Sequence, residues 1–226
     1  LSIGIAGAGR MGQANAGLVD EQAGLELAGV WSRGSDLYEL VSRADVVIDF
    51  SLPEGTEQVL AAVTRHGKAL VCGVSGLSDT QLEQLDAAAG IVPVVYDRNM
   101  SLGIAVLERC VREAAASLGP DFDVRIAETH HIHKKDAPSG TALKLGEAVA
   151  AARHEPDTGA IHYDVERRGE VPGDHEVTLS SATEALSFAH SVTTRQVFAD
   201  GALRAARWVA GRMPGRYAMC DVLFDS

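Results

Sequence analysis

The stretch ETHHIHKKDAPSG, residues 128 to 140, places three histidines and two lysines within six positions. An imidazole takes up and releases a proton near neutrality without help, and an ammonium beside it meets negative charge as it develops. Such a pair suits proton donation to an anionic reaction centre. On a strand, His131 and His133 would point the same way, with His130 and Lys134 on the opposite face unless the chain turns. Two histidines on one face are also how zinc is held. No third ligand stands at a recognisable spacing, however, and Lys134 and Lys135 would repel a dication, so no metal is expected. A solvated polar surface is the other reading of these residues. The next residues along the chain favour a site: Pro138 sets the entry to a helix, and Ser139, Gly140 and Thr141 offer hydroxyl and N–H groups at its N-terminus, a pocket for a substrate carboxylate.

A second constellation opens the chain. Gly7-x-Gly9-x-x-Gly12 comes after the apolar run SIGIAG and precedes a helical segment from Met11. Glycines at this spacing permit a tight turn and let backbone N–H groups approach a pyrophosphate at the helix N-terminus. After the next strand, WSRGS carries Ser32 and Arg33 where an acid would bind the 2'-hydroxyl of NAD. A 2'-phosphate is the better chemical match, so the expected cofactor is NADPH in preference to NADH. A surface arginine on a solvated turn remains the alternative.

The elements that must hold these residues alternate. LELAGVW (25–31), VVIDFS (46–51), ALVCGV (69–74) and IVPVVY (91–96) read as buried parallel strands, and helical periodicity lies between them. Thr56, Val59, Leu60 and Val63 share one helix face, and Ser78 with Gln81 forms a capping-box pattern. Strand and helix in alternation predict a Rossmann-like, doubly wound α/β sheet. Beyond residue 100 the pattern changes. A long helix striped by Leu107, Cys110, Val111, Ala114 and Leu118 ends at Gly119-Pro120. Strands at 123–131, 161–167, 176–182 and 184–192, interrupted by a helix at 140–153, predict a second, α+β domain with an open mixed or antiparallel sheet. A last helix from Gly201, with Leu203, Ala206 and Ala210 on one face, is expected to return to the first domain. The predicted division is 1–100, completed by 197–226, for the dinucleotide and 101–196 for the substrate.

Composition narrows the partners. A net charge of −11 repels nucleic acid and anionic membrane surfaces. No apolar run approaches the length of a membrane span, and the N-terminus lacks a signal-peptide layout. Cys72, Cys110 and Cys220 are odd in number and far apart, which predicts buried free thiols in the cytoplasm.

Together these segments resemble a known family. ETHHIHKKDAPSGTA is similar to the signature of bacterial 4-hydroxy-tetrahydrodipicolinate reductase, long called dihydrodipicolinate reductase. GAGRMG, IDFSLPEG, CGVSG, NMSLG, RRGEVPGDH and TTRQVFADGALRAARW fall in the family's order along nearly the whole chain. The resemblance implies a cytoplasmic homotetramer built through the substrate domain's sheet, no metal, and reduction of a cyclic imine dicarboxylate. It implies His130 as general acid with Lys134 beside it, and His131, Ser139, Gly140 and Thr141 on the substrate's carboxylates. Gly7, Arg10, Met11 and Gly12 match the nucleotide turn, and Phe50 and Ser51 fall in IDFSLPEG. Gly73, Ser75, Asp97, Asn99 and Met100 match loops lining the nicotinamide. Arg195, in TTRQ, is a candidate for closing over the substrate, with a surface ion pair as the alternative. Departures stand beside the matches. The glycine turn has one residue fewer than the family usually shows, the connection from Trp31 to Val46 is abbreviated and lacks a strand, and an excursion before Ile161 is missing. Met100 replaces a common phenylalanine. Two rival classes remain at this level: a redox-sensing dinucleotide regulator, and a metal-dependent hydrolase.

Overall fold

The computed structural model describes residues 1–224. It divides into two compact units, Leu1–Leu102 joined by the segment from Gln196 onward, and Gly103–Arg195. In the first unit β1 (Ser2–Ala6), α1 (Arg10–Glu21), β2 (Glu26–Trp31), α2 (Leu37–Arg43), β3 (Val46–Asp49), α3 (Pro53–His66), β4 (Ala69–Cys72), α4 (Asp79–Ala89) and β5 (Pro93–Tyr96) succeed one another in strict alternation. The strands form one wholly parallel sheet in the order β10-β5-β4-β3-β1-β2, with β10 at Gly215–Tyr217. β3 and β4 are buried along their full length, as a sheet covered on both faces requires. The capping box forms as its spacing predicts: Ser78 Oγ accepts from the Gln81 N–H at 3.3 Å and Gln81 Oε1 accepts from the Ser78 N–H at 3.0 Å.

Two features differ from the sequence reading and one agrees with it, since no strand lies between Trp31 and Val46. The short connection from Trp31 to Val46 folds as the helix α2, started by Asp36, whose carboxylate accepts from the Glu39 N–H. The last long helix, α7 (Gln196–Val209), begins before Gly201, buries Leu203, Ala206 and Val209, and leaves Ala210 exposed. It packs on α1 and on β3, β4 and β5. A Cβ on Gly201 would lie 1.7 Å from the Met100 carbonyl oxygen, so only glycine permits that approach. After it come β10 and α8 (Met219–Phe224), too short to carry a periodic signal.

The second unit contains α5 (Leu102–Leu118), β6 (Asp123–His130), α6 (Gly140–Arg153), β7 (His162–Arg167), β8 (Asp174–Ser180) and β9 (Ala185–Ser191). Its sheet is mixed, in the order β7-β6-β8-β9: β6 pairs parallel with β7 and antiparallel with β8, and β8 pairs antiparallel with β9. Ile104, Leu107 and Val111 of α5, Leu145 and Val149 of α6, and Val124, Ile126, Val177 and Leu179 of the sheet make the core. Cys110 is exposed and Cys220 half-buried; of the three thiols only Cys72 lies in the core. Of the expected stripe on α5, Leu107 and Val111 are buried and Ala114 and Leu118 pack against the core; Cys110 alone departs from it, and Ile104, Glu108 and Ala115 are buried as well. No helix among the described residues is long and apolar enough to cross a membrane.

Candidate functional site

The first unit carries a cavity of about 960 Å³ lined by Gly7, Gly9, Ser32, Arg33, Phe50 and Ser51 together with Trp31 and Tyr38. Gly7 has φ +105°, and a Cβ there would sit 2.7 Å from the Phe50 carbonyl oxygen; one on Gly12 would sit 1.7 Å from the Gly7 carbonyl oxygen. Gly12 lets the turn close on itself, and Gly7 lets the chain beyond β3 approach it. Gly9 differs, because nothing lies within 4 Å of its missing Cβ. No side chain caps α1, which Arg10 and Met11 begin, so its first N–H groups are available to an anion. These features fit a dinucleotide's pyrophosphate.

Sequence reasoning missed the residue that shapes one wall. Asp49, fully buried at the end of β3, accepts from the Ser51 N–H and from Thr56 Oγ1, both at 2.8 Å. It thereby fixes the turn that carries Phe50 and Ser51 into the cavity. Burial pushes its pKa up, against the pull of those hydrogen bonds. Gly73 makes room for the same wall, since a Cβ there would meet the Phe50 ring at 2.4 Å. At the proposed ribose end, Ser35 donates its hydroxyl to the Ser32 carbonyl (2.9 Å) and accepts from the Ser32 N–H (3.1 Å), a closed loop that leaves Arg33 exposed at the cavity.

Gly73, Ser75, Asp97, Asn99 and Met100 come after β4 and β5 and do not line this cavity. Asp97 is 2% exposed and accepts from the Asn99 N–H (3.1 Å) and the Met219 N–H (3.2 Å), while Asn99 Oδ1 accepts from the Ser101 N–H (2.9 Å). Met100 is buried. These side chains hold the turn between β5 and α5.

In the second unit β6 ends at His130 and the chain turns, with the Lys134 N–H donating to the His131 carbonyl at 3.1 Å. The alternating strand expected through His133 does not form. His131 and His133 remain neighbours, their ring centroids 6.1 Å apart, and His133 lies exposed beside Glu170. Burial, and then the charge of Arg195, pushes the His131 pKa down, which puts Arg195 within its electrostatic reach.

His130 points the other way, into the unit. The period of two along β6 puts Glu128 and His130 on the same face as Val124 and Ile126, and all four are buried. Register then fixes the neighbours: Glu128 stands opposite His175 on β8, and His130 opposite Arg167 on β7. One oxygen of the Glu128 carboxylate, Oε1, accepts from Arg167 Nη2 (3.1 Å) and from the Ser139 N–H (3.0 Å). The other, Oε2, lies 3.4 Å from His130 Nδ1 and 3.8 Å from His175 Nε2. These are ion-pair distances without a formed hydrogen bond; Oε2 and His130 Nδ1 are both buried and unpartnered. Burial drives the His130 pKa down to about 4, with Glu128 and Asp136 opposing the shift and Lys134 and Arg167 adding to it. His175 falls to about 3, again chiefly through burial and then through the charges of His130, His190 and Lys134.

The N-terminus of α6 is more occupied than its sequence suggests. Ser139 Oγ accepts from the Ala142 N–H (3.2 Å), capping the helix, and its own N–H is held by Glu128. Asp136 accepts from the Gly140 N–H and pairs with Lys134 Nζ at 2.9 Å. Burial works against that carboxylate, yet Lys134 and the two backbone N–H groups hold its pKa down. Asp136 thus already holds the anion position that the sequence reading expects a substrate carboxylate to take. Thr141 is buried in the helix's first turn.

Glu128, Arg167 and His175 were not among the residues singled out from sequence. A signal for two of them exists: Glu128 and His175 continue the apolar alternations of Val124-Ile126 and Val177-Leu179 with polar residues, a pattern that marks polar groups buried at the end of a core face.

The chain matches two family models, "Dihydrodipicolinate reductase, N-terminus" over residues 1–100 and "Dihydrodipicolinate reductase, C-terminus" over residues 103–223. It is 44% identical to the 4-hydroxy-tetrahydrodipicolinate reductase of Alkalilimnicola ehrlichii over 218 residues, 88% of this chain and 82% of that one. It is 38% identical to the same enzyme of Halorhodospira halophila over 263 aligned positions, covering 99% and 98%. That alignment is longer than the chain itself, as shortened connections require. Among solved structures, the dipicolinate-bound dihydrodipicolinate reductase of Paenisporosarcina sp. TG-14 superposes with a TM-score of 0.80 at 22% identity, covering 96% of this chain and 97% of that one, a likeness of fold.

Proposed function

The chain belongs to the dihydrodipicolinate reductase family, and we infer from that premise that it reduces 4-hydroxy-tetrahydrodipicolinate to tetrahydrodipicolinate with a nicotinamide cofactor. The reaction takes up a hydride and one proton and releases water. The bound cofactor supplies the hydride; Gly7, Gly9, Arg10, Met11 and Gly12 hold its pyrophosphate end, and Phe50 and Ser51 form the wall beside it.

The observation that carries the chemical assignment is the placement of His130 at the buried end of β6, one turn before Lys134, with its Nδ1 3.4 Å from Glu128 and Arg167 on β7 as its register partner. Hydride addition to a ring conjugated with an imine builds negative charge on the nitrogen side. Lys134 meets that charge as a cation and His130 delivers the proton. Burial keeps the His130 ring neutral at neutral pH. The two negative charges of a bound dicarboxylate favour the protonated ring, so substrate and proton bind together. His131, Gly140, Thr141 and Arg195 hold the carboxylates, and Asp136 must give way when one arrives at Lys134. Ser139 acts through the cap it makes.

NADPH is the preferred cofactor and NADH the weaker one, because Arg33 is exposed at the cavity while Asp36, which also lines it, has its carboxylate engaged in capping α2. The chain works as a homotetramer in the cytoplasm. The uncovered face of its mixed sheet, with Arg125, Asp164, Glu176 and Ser187, supplies the surface that pairs. The test of the function is NADPH oxidation with freshly made substrate. Absorbance must fall only when both are present, and a chain that leaves NADPH untouched would sink the reading. Insensitivity to chelator separates it from a metal-dependent hydrolase.

A further inference from the structure

We propose that Glu128, His130 and His175 form a three-ligand site for zinc or a zinc-like divalent cation, and that filling it switches the reductase off. The second half of this inference rests on the reductase reading; the first does not. The spacing of histidines along the sequence offers no third ligand, but strand register supplies one from β8. One ligand atom from each of Glu128, His130 and His175 lies within 4.8 Å of the other two, and Glu128 Oε2 stands 3.4 Å from His130 Nδ1 and 3.8 Å from His175 Nε2. Ligands at roughly 2.0–2.2 Å around a tetrahedral zinc are about 3.4 Å apart, so a small inward shift completes the geometry.

The carboxylate is already aimed. Arg167 and the Ser139 N–H hold Oε1, which turns Oε2 toward the two imidazoles, as outer partners orient a metal ligand. Glu128, His130 and His175 are 3%, 7% and 4% exposed. Oε2 and His130 Nδ1 have no hydrogen-bond partner, an arrangement that costs free energy and that a cation between them relieves. Burial keeps both rings unprotonated at neutral pH; His130 Nδ1 is unpartnered, and His175 Nε2, which lies 3.4 Å from Ser139 Oγ, exchanges that contact for the cation. The nearby cations do not stand alone: Lys134 is paired with Asp136 and Arg167 with Glu128. Because the added charge is still not fully balanced, micromolar affinity is expected. A metal on Nδ1 occupies the position of the second proton of the imidazolium, and His130 then cannot act as a cationic acid.

The test is a titration of the chelator-treated full chain with Co2+, read by the visible absorption bands of a site with few ligands, without substrate. One equivalent should bind, Zn2+ should displace it, and His175→Gln should weaken it at least tenfold while His133→Ala, on the exposed turn, leaves it unchanged. X-ray absorption of the wild-type zinc form needs no variant and should give a shell of nitrogen and oxygen with two imidazoles. Absence of binding, binding lost with His133 and kept with His175→Gln, or a shell containing sulfur would overturn the site. In the reductase assay, stoichiometric zinc should abolish turnover and chelator restore it. Full activity of the zinc-loaded chain would overturn the switch alone.

Discussion

Glu128 on β6 stands directly opposite His175 on β8, and its two carboxylate oxygens face different partners: Oε1 toward Arg167 and the start of α6, Oε2 toward His175 and His130. One buried carboxylate thus ties the proposed proton donor to the helix proposed to receive the substrate. Two variants test the donor itself. His130→Gln and Lys134→Ala should each lower kcat by about 100-fold or more and leave NADPH binding nearly unchanged, because the cavity proposed for the nucleotide is built entirely from the first unit. Lys134→Ala should also raise the substrate KM. Near wild-type kcat at saturating substrate in both variants would remove them from the chemistry.

Ser139 offers a test of the cap. Ser139→Ala should destabilise by about 1 kcal/mol through loss of the bond from the Ala142 N–H. Ser139→Asp keeps a capping oxygen but buries a second carboxylate against Glu128, so it should be the worse of the two in both stability and substrate KM. Denaturant midpoints and steady-state kinetics on the pair decide it; an Asp variant at least as stable as the Ala variant would mean the carboxylates do not meet.

Arg33 should read the 2'-phosphate. Charge-assisted hydrogen bonds are worth roughly 1.5 to 3 kcal/mol, so a tenfold or greater preference for NADPH in kcat/KM is expected, falling with added salt. Arg33→Ala should remove most of that preference by weakening NADPH alone. Equal wild-type values, or a variant that loses both cofactors alike, would tell against it.

Asp49 gives a pH dependence with a definite sign. Burial raises its folded-state pKa above the unfolded value, so the folded chain binds this proton more readily, and stability from this group falls as pH rises from the unfolded toward the folded pKa. Asn at this position keeps an acceptor for the Ser51 N–H and can hydrogen-bond the Thr56 hydroxyl without a buried charge. Asp49→Asn should therefore match or exceed wild-type Tm at pH 7, with the difference shrinking toward pH 4. A variant that loses more stability at pH 7 than at pH 4 would show that the charge stabilises the turn.

By itself the sequence determined the alternation of strands and helices in the first unit, the glycine turn and the capping box, because local periodicity and backbone freedom are set by neighbours along the chain. Gly12 and the Ser78–Gln81 pair needed no distant information. The signature at 128–140 likewise marked His130, Lys134 and the start of α6. Tertiary structure decided which histidine turns inward. The strand ends at His130 rather than His133, so His130 is buried and His133 is left on an exposed turn. It also decided the partners of Glu128. His175 and Arg167 lie far from it in sequence and become neighbours only through the register of β6 with β8 and β7, which the packing of Val124, Ile126, Val177 and Leu179 fixes. A slip of one residue would turn Glu128 and His130 to the uncovered face.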